Sequence, residues 1–158
     1  MGVQFHQSAR NRRRGSEMNR DKRFELIARA NSERICEIAE RILADTATAV
    51  EVIKKPVGGM IMMRFRDTAE KCVFNLGEVM VTEAEVRIDS ELGYAMIMGR
   101  DPETALAGAI LDAAVESGHT LAPEIVDLLR SEEVRIKEEL QKTWAKVATT
   151  KVDFEVMA

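Results

Sequence analysis

Cysteine is nearly missing. Cys36 and Cys72 are the only two in 158 residues, and no spacing links either to a histidine or to the other. That excludes a disulfide framework and makes poor material for a zinc site. Both read as small buried hydrophobes in a reducing compartment. Aromatic residues make up only 4% of the chain and prolines number three, whereas methionines number nine. An aliphatic, thioether-rich core follows, with methionine filling irregular gaps and adaptable contact surfaces. No apolar run is long enough to span a bilayer, and the basic N-terminus is followed by no apolar stretch of the kind a secretory signal needs. A soluble protein with a cytoplasmic address is the expectation.

Catalytic signatures are also lacking. There is no GxxxxGK[ST] loop, and Gly58-Gly59 is not part of a GxGxxG element. HExxH, GxSxG and CxxxCxxC are absent. Of the two histidines, His6 lies in the N-terminal tail, and His119 follows a glycine that ends a helix, where a ring commonly caps carbonyls. Acid pairs Glu83/Glu85 and Glu132/Glu133 fall on faces that read as solvated.

What is present is unevenly charged. The net charge is −4, yet residues 1–23 carry seven Lys/Arg against two acids, so the body is strongly acidic. An acidic body argues against nucleic acid as the main partner, and no aromatic series accompanies the basic tail. Residues 1–18 read as a disordered basic extension, and residues 19–158 as a single domain large enough to bury a core.

Periodicity gives an α+β outline. Apolar residues at helical spacing predict two short helices, 20–30 and 32–44, the second with Ile35, Ile38, Ala39 and Ile42 on one face. The period then changes. Residues 49–54, Met60–Phe65, Cys72–Phe74, Val79–Ile88 and Leu92–Met98 read as strand segments, with turns at Pro56-Gly58-Gly59 and at Asp89-Ser90-Glu91. The apolar positions change parity between Val81 and Ala84, which predicts a β-bulge near Thr82-Glu83. Short connections favour hairpins, hence an antiparallel sheet of about four strands. Asp101-Pro102-Glu103 is a strong helix start, and Gly118 a helix end. A final helix from about Thr120 carries Ile125, Leu128, Leu129, Ile136, Leu140, Trp144 and Val147 on one stripe. At about 1.5 Å per residue it would be roughly 40 Å long, long for so small a domain. Val152-Asp153-Phe154-Glu155-Val156 alternates like a strand and can add to a sheet edge, its own or a partner's.

Two sets of residues stand out. Arg100 sits where a strand ends and a helix begins, a place that favours anions. Asp101, Tyr94 on the preceding strand and Glu78 are the other candidates for an anion or ligand site; for Arg100 the simpler alternative is an ion pair with Asp101 or Asp112. The second set is apolar: Met60, Met62, Met63, Trp144 and Phe154 are candidates for burial against another chain. No metal site is expected.

The segment Gly93-Tyr94-Ala95-Met96-Ile97-Met98-Gly99-Arg100-Asp101, followed by Ala105, Ala109 and Asp112-Ala113, closely resembles the PhnG family. Phe74-Asn75-Leu76-Gly77-Glu78 with Val81-Thr82, then Val86-Arg87-Ile88, then Val152-Asp153-Phe154, agree in the same order. The resemblance covers about residues 20–156. The arginine-rich start looks like an extension beyond the family's usual beginning, and the chain stops soon after the last motif, with less tail than some relatives. The resemblance implies a subunit of the bacterial carbon–phosphorus lyase core complex, in organic phosphonate catabolism. It implies work with PhnH, PhnI and the ATPase-like PhnL in replacing the adenine of ATP by an alkylphosphonate, giving a ribose 1-phosphonate 5-triphosphate. It also implies a hetero-octameric core of PhnG, PhnH, PhnI and the iron–sulfur subunit PhnJ, two copies of each. ATP and alkylphosphonate would be substrates of the complex, with no cofactor held by this chain. The resemblance brings no catalytic residue with it, so an accessory subunit is the expected role and a stand-alone phosphate- or phosphonate-binding domain the alternative.

Overall fold

The computed structural model describes residues 18–67 and 70–150. Seven elements follow in order: α1 (Arg20–Ile27), α2 (Ser32–Ala44), β1 (Val50–Arg66), β2 (Val73–Ile88), β3 (Glu91–Met98), α3 (Pro102–Ser117) and α4 (Ala122–Ala148). No helix among the described residues is long and apolar enough to cross a membrane. The α+β class and the helices agree with the sequence reading. Residues 1–17 of the extension expected over 1–18, and the tail, residues 151–158, lie outside the described residues.

The sheet differs from the four strands expected. Among the described residues it has three antiparallel strands in the order β1-β2-β3, because segments read as separate strands are continuous. Pro56 and Gly58-Gly59 do not turn the chain. β1 is an edge strand, where a proline's missing N–H costs no ladder bond, and Pro56 falls within a register shift between Lys54 and Val57. Two register shifts put an extra residue on β1 and a third puts Leu76 extra on β2, none of them at Thr82-Glu83 as expected; a bulge on one strand leaves the parity of its partner readable only through the pairing. The β2–β3 hairpin is regular, with Ile88 opposite Glu91 and Asp89 at φ +54° in the two-residue turn.

Helix α3 is the centre of the body. Asp101 caps it by accepting from the Thr104 amide at 3.0 Å, Pro102 occupies its first turn, and Gly118 ends it at φ +72°. Its small residues bring it against β3. A methyl added to Gly93 would lie 2.2 Å from the Ala109 carbonyl oxygen and 2.3 Å from the Ala113 amide nitrogen. Ala95, Ala105, Gly108, Ala109 and Ala113 complete this close approach, and all are buried. Most of the Gly93–Ala113 motif is therefore a packing seam between a helix and a strand. The core extends from it through Ala84, Val86, Ile88, Ile110 and Leu111 to Ile27, Ile35, Ile42, Ile125 and Leu129.

Candidate functional site

Two polar clusters bolt the body together, and both lie on the helices. Asp112, 2% exposed, accepts from Arg23 Nε at 2.7 Å, from Arg20 Nη2 at 2.9 Å and from the Tyr94 amide at 3.1 Å. Arg23 also pairs with Glu116, and Arg20 donates to the Leu92 carbonyl. These groups satisfy part of the free edge of β3 and anchor α1 to α3. Glu132 is 1% exposed, not solvated as its charge run suggested. It accepts from Arg34, from Arg135 and from the Asn31 amide. Burial opposes its charged form, but Arg135, the Asn31 amide and Arg34 outweigh this and hold its carboxyl below the usual range.

His119 is a structural hinge pin. Its Nδ1 accepts from the Leu121 amide at 3.1 Å, so it caps an amide where a carbonyl was expected. Its Nε2 lies 3.1 Å from Thr48 Oγ1 and 3.4 Å from Asp45, tying the end of α2 to the α3–α4 turn.

The four anion or ligand candidates do not converge. Asp101 is spent as a helix cap. Tyr94 lies on the outer face of the sheet, stacked on Phe24 with ring centroids 5.6 Å apart. Its hydroxyl donates to Glu83 at 2.6 Å, and Glu83 is also bonded by Lys54. Burial and this carboxylate push the Tyr94 phenol up to about 12. Glu78 stands exposed on the distal part of the sheet. Arg100 is exposed and has no carboxylate partner among the described residues; Asp112 is engaged by Arg20 and Arg23 instead. Thr82, noted in the sequence only at an expected bulge and in a family motif, is buried: its hydroxyl donates to the Gly99 carbonyl and accepts from the Asp101 amide, fixing the turn that carries Arg100.

The apolar candidates, by contrast, form two arms. β3 stops at Met98, opposite Val81, but β1 and β2 continue as a two-stranded ribbon to Arg66 and Val73. Opposed residues share a face. Met60, Met62 and Met80 lie on the face that continues the core side of β2, together with Glu78, Arg64 and Arg66. The other face carries Val57, Ile61, Met63, Phe65, Phe74 and Val79, with no charge between Val57 and Phe65. Phe65 and Phe74 meet edge-on at 5.7 Å. Met60, Met62, Met63 and Phe65 are each 40–54% exposed. Cys72 is exposed near the ribbon's tip, not buried, and Cys36 is half-buried. At the tip Asp67, Glu70 and Cys72 come within 4.8 Å of one another, but Asp67 already accepts from the Glu70 amide.

The second arm is the outer half of α4. Its body-facing stripe, Ile125, Leu128, Leu129 and Ile136, continues beyond the body as Leu140, Trp144 and Val147, which are 54%, 70% and 51% exposed. Phe154, the remaining apolar candidate, lies outside the described residues.

Both arms leave the body at one end. The ribbon extends past Thr82 and Gly99, where α3 begins. Helix α2 runs alongside α3: the Cys36 thiol bonds near the start of α3, at Thr104, and Asp45 lies near its end, at His119. Helix α4 runs antiparallel to α2, pairing Glu124 with Arg41 and then Glu132 with Arg34 and Asn31, and so passes the start of α2.

Comparison with known proteins fits this arrangement. Residues 18–158 match the family model described as phosphonate metabolism protein PhnG. A curated relative from Rhizobium meliloti (strain 1021) is alpha-D-ribose 1-methylphosphonate 5-triphosphate synthase subunit PhnG. It is 31% identical over 114 residues, covering 72% of this chain and 72% of that protein. The chain belongs to the PhnG family of phosphonate metabolism proteins.

Proposed function

We propose that this chain is a non-catalytic assembly subunit of a ribose 1-phosphonate 5-triphosphate synthase within a carbon–phosphorus lyase core. The observation that carries the reading is the pair of apolar arms. A two-stranded ribbon is marginal in water unless something covers it, and this one bears apolar side chains on both faces. A helix that keeps its apolar stripe for three further turns outside its own body needs a second surface in the same way. The name of the Rhizobium relative, a synthase subunit, gives that surface a source. The acids and the histidine best placed for chemistry, Asp112, Glu132 and His119, are consumed in holding the body together.

In this reading PhnI-, PhnH- and PhnJ-type subunits and PhnL are the partners, and ATP and alkylphosphonate are substrates of the whole, with no cofactor held by this chain. Met60, Met62, Met63 and Trp144 are the contact residues. The test is reconstitution from co-expressed subunits with ATP and methylphosphonate. Turnover is expected to vanish when this chain is omitted and to be absent when it is alone. Turnover by the isolated chain would overturn the reading. Arg100→Ala in the assembled complex separates assembly from a direct share in chemistry: unchanged turnover is expected, and an intact complex that has lost turnover would make Arg100 a catalytic or substrate-binding residue.

A further inference from the structure

The outer edge of β1 carries no strand among the described residues. Near the ribbon's tip that edge has a distinct chemistry. Arg64 and Arg66 project from one face, two residues apart, and neither has a carboxylate partner among the described residues. Phe65, between them, projects from the other face next to Met63 and packs on Phe74. A strand suited to this edge would be acidic at alternate positions and apolar at the intervening ones.

One segment of the chain carries that pattern in its sequence. Val152-Asp153-Phe154-Glu155-Val156 has two acids, two residues apart, framed by three apolar side chains. It also starts in a suitable place. From Glu132, level with the start of α2, to its end at Ala148, α4 rises about 24 Å at 1.5 Å per residue. From Val81 to Val73 the ribbon rises about 26 Å at 3.3 Å per residue. The two arms reach comparable heights from the same end of the body. A chain that left α4 at that height and turned back toward the body would run antiparallel to β1.

We propose that residues 152–156 form a fourth strand on the outer edge of β1 of their own chain, antiparallel, with Asp153 beside Arg66, Phe154 beside Phe65, Glu155 beside Arg64 and Val156 beside Met63. One register satisfies all four pairs. Charges meet on one face, and Phe154, Phe65 and Phe74 form a row of aromatic rings across the other. Backbone pairing closes the part of the edge most open to unwanted strand addition. The other edge of the ribbon, along Val73–Met80, stays free, so the inference is independent of which partner the arms engage.

Hydrogen exchange on the full chain tests this, alone and in its assembly. Truncation after Thr150 is expected to speed exchange within Ile61–Arg66 at least tenfold and to leave α3 unchanged. Asp153→Arg with Glu155→Arg is expected to act like truncation, and adding Arg64→Glu with Arg66→Glu is expected to restore protection. An amine-reactive cross-linker on mixed light and heavy chains is expected to join Lys151 to Lys71 within single copies. Unaltered exchange on truncation overturns the proposal. So do links between light and heavy copies, which would make the occupant a second copy, and protection that appears only with partner subunits and survives truncation.

Discussion

The body and the arms are built from the same residue types but solve opposite problems. In the body, Gly93 and Gly108 let α3 approach the sheet until backbone meets backbone, and buried arginines and acids are fully matched. In the ribbon, methionines and phenylalanines of comparable hydrophobicity stand half in water, and Arg64 and Arg66 have no carboxylate partner among the described residues. The same contrast runs along one helix. Ile125 and Leu129 of α4 are completely buried, while Trp144, on the same stripe, is 70% exposed. A single domain can hold a finished core beside apolar surface that nothing among the described residues covers.

The contrast can be broken from the body side first. Asp112→Ala strands Arg23 in a buried position with only Glu116 beside it. A loss of about 3–5 kcal/mol is expected in denaturant unfolding. Gly93→Ala forces a methyl into the α3 backbone, and about 3 kcal/mol should be lost, since neither the Ala109 carbonyl nor the Ala113 amide can yield without moving the helix. Acid acts more gently. Glu132 has a lowered pKa when folded, so its contribution is fully present above the ordinary carboxylate range, about 4.3, and is lost as pH falls through the folded value. Unfolding scans from pH 7 to pH 3 should show a decline that Glu132→Gln makes shallower, the remainder coming from Glu83, Asp45, Glu124 and Glu133, whose carboxyls are also lowered. From the arm side the stability effect should be smallest. Met60→Lys with Met62→Lys should change body stability by no more than about 0.5 kcal/mol, because both side chains are already about half exposed. The same pair should raise the solubility of the isolated chain.

The legible parts of the sequence were local. Asp101-Pro102 and Gly118 bounded α3 because caps act through neighbouring amides, and the α2 face followed from its spacing. Strand count was not legible. A proline and two glycines resemble a turn unless one knows that β1 is an edge strand, which is a property of the sheet and not of residues 56–59. Glu132 resembled its charged neighbours because, Arg135 apart, its partners Arg34 and the Asn31 amide come from α2 and the α1–α2 turn about a hundred residues earlier. Asp112 was noted as part of a family motif and as an alternative partner for Arg100, and no pattern in the sequence joins it to Arg20 and Arg23. The apolar ribbon and the over-long helix were visible as runs that suited no single-chain core. Their placement at one end of the body required the helix pairings.

The central claim is that the arms serve assembly and the body stands without them. The direct measurement is the mass of the complex purified after co-expression with PhnI-, PhnH- and PhnJ-type subunits, comparing the wild-type chain with a Met60→Lys, Met62→Lys, Trp144→Ala variant. The account expects the variant to be folded, with near wild-type thermal stability, and missing from the complex. Full incorporation of the variant at wild-type stoichiometry would contradict it.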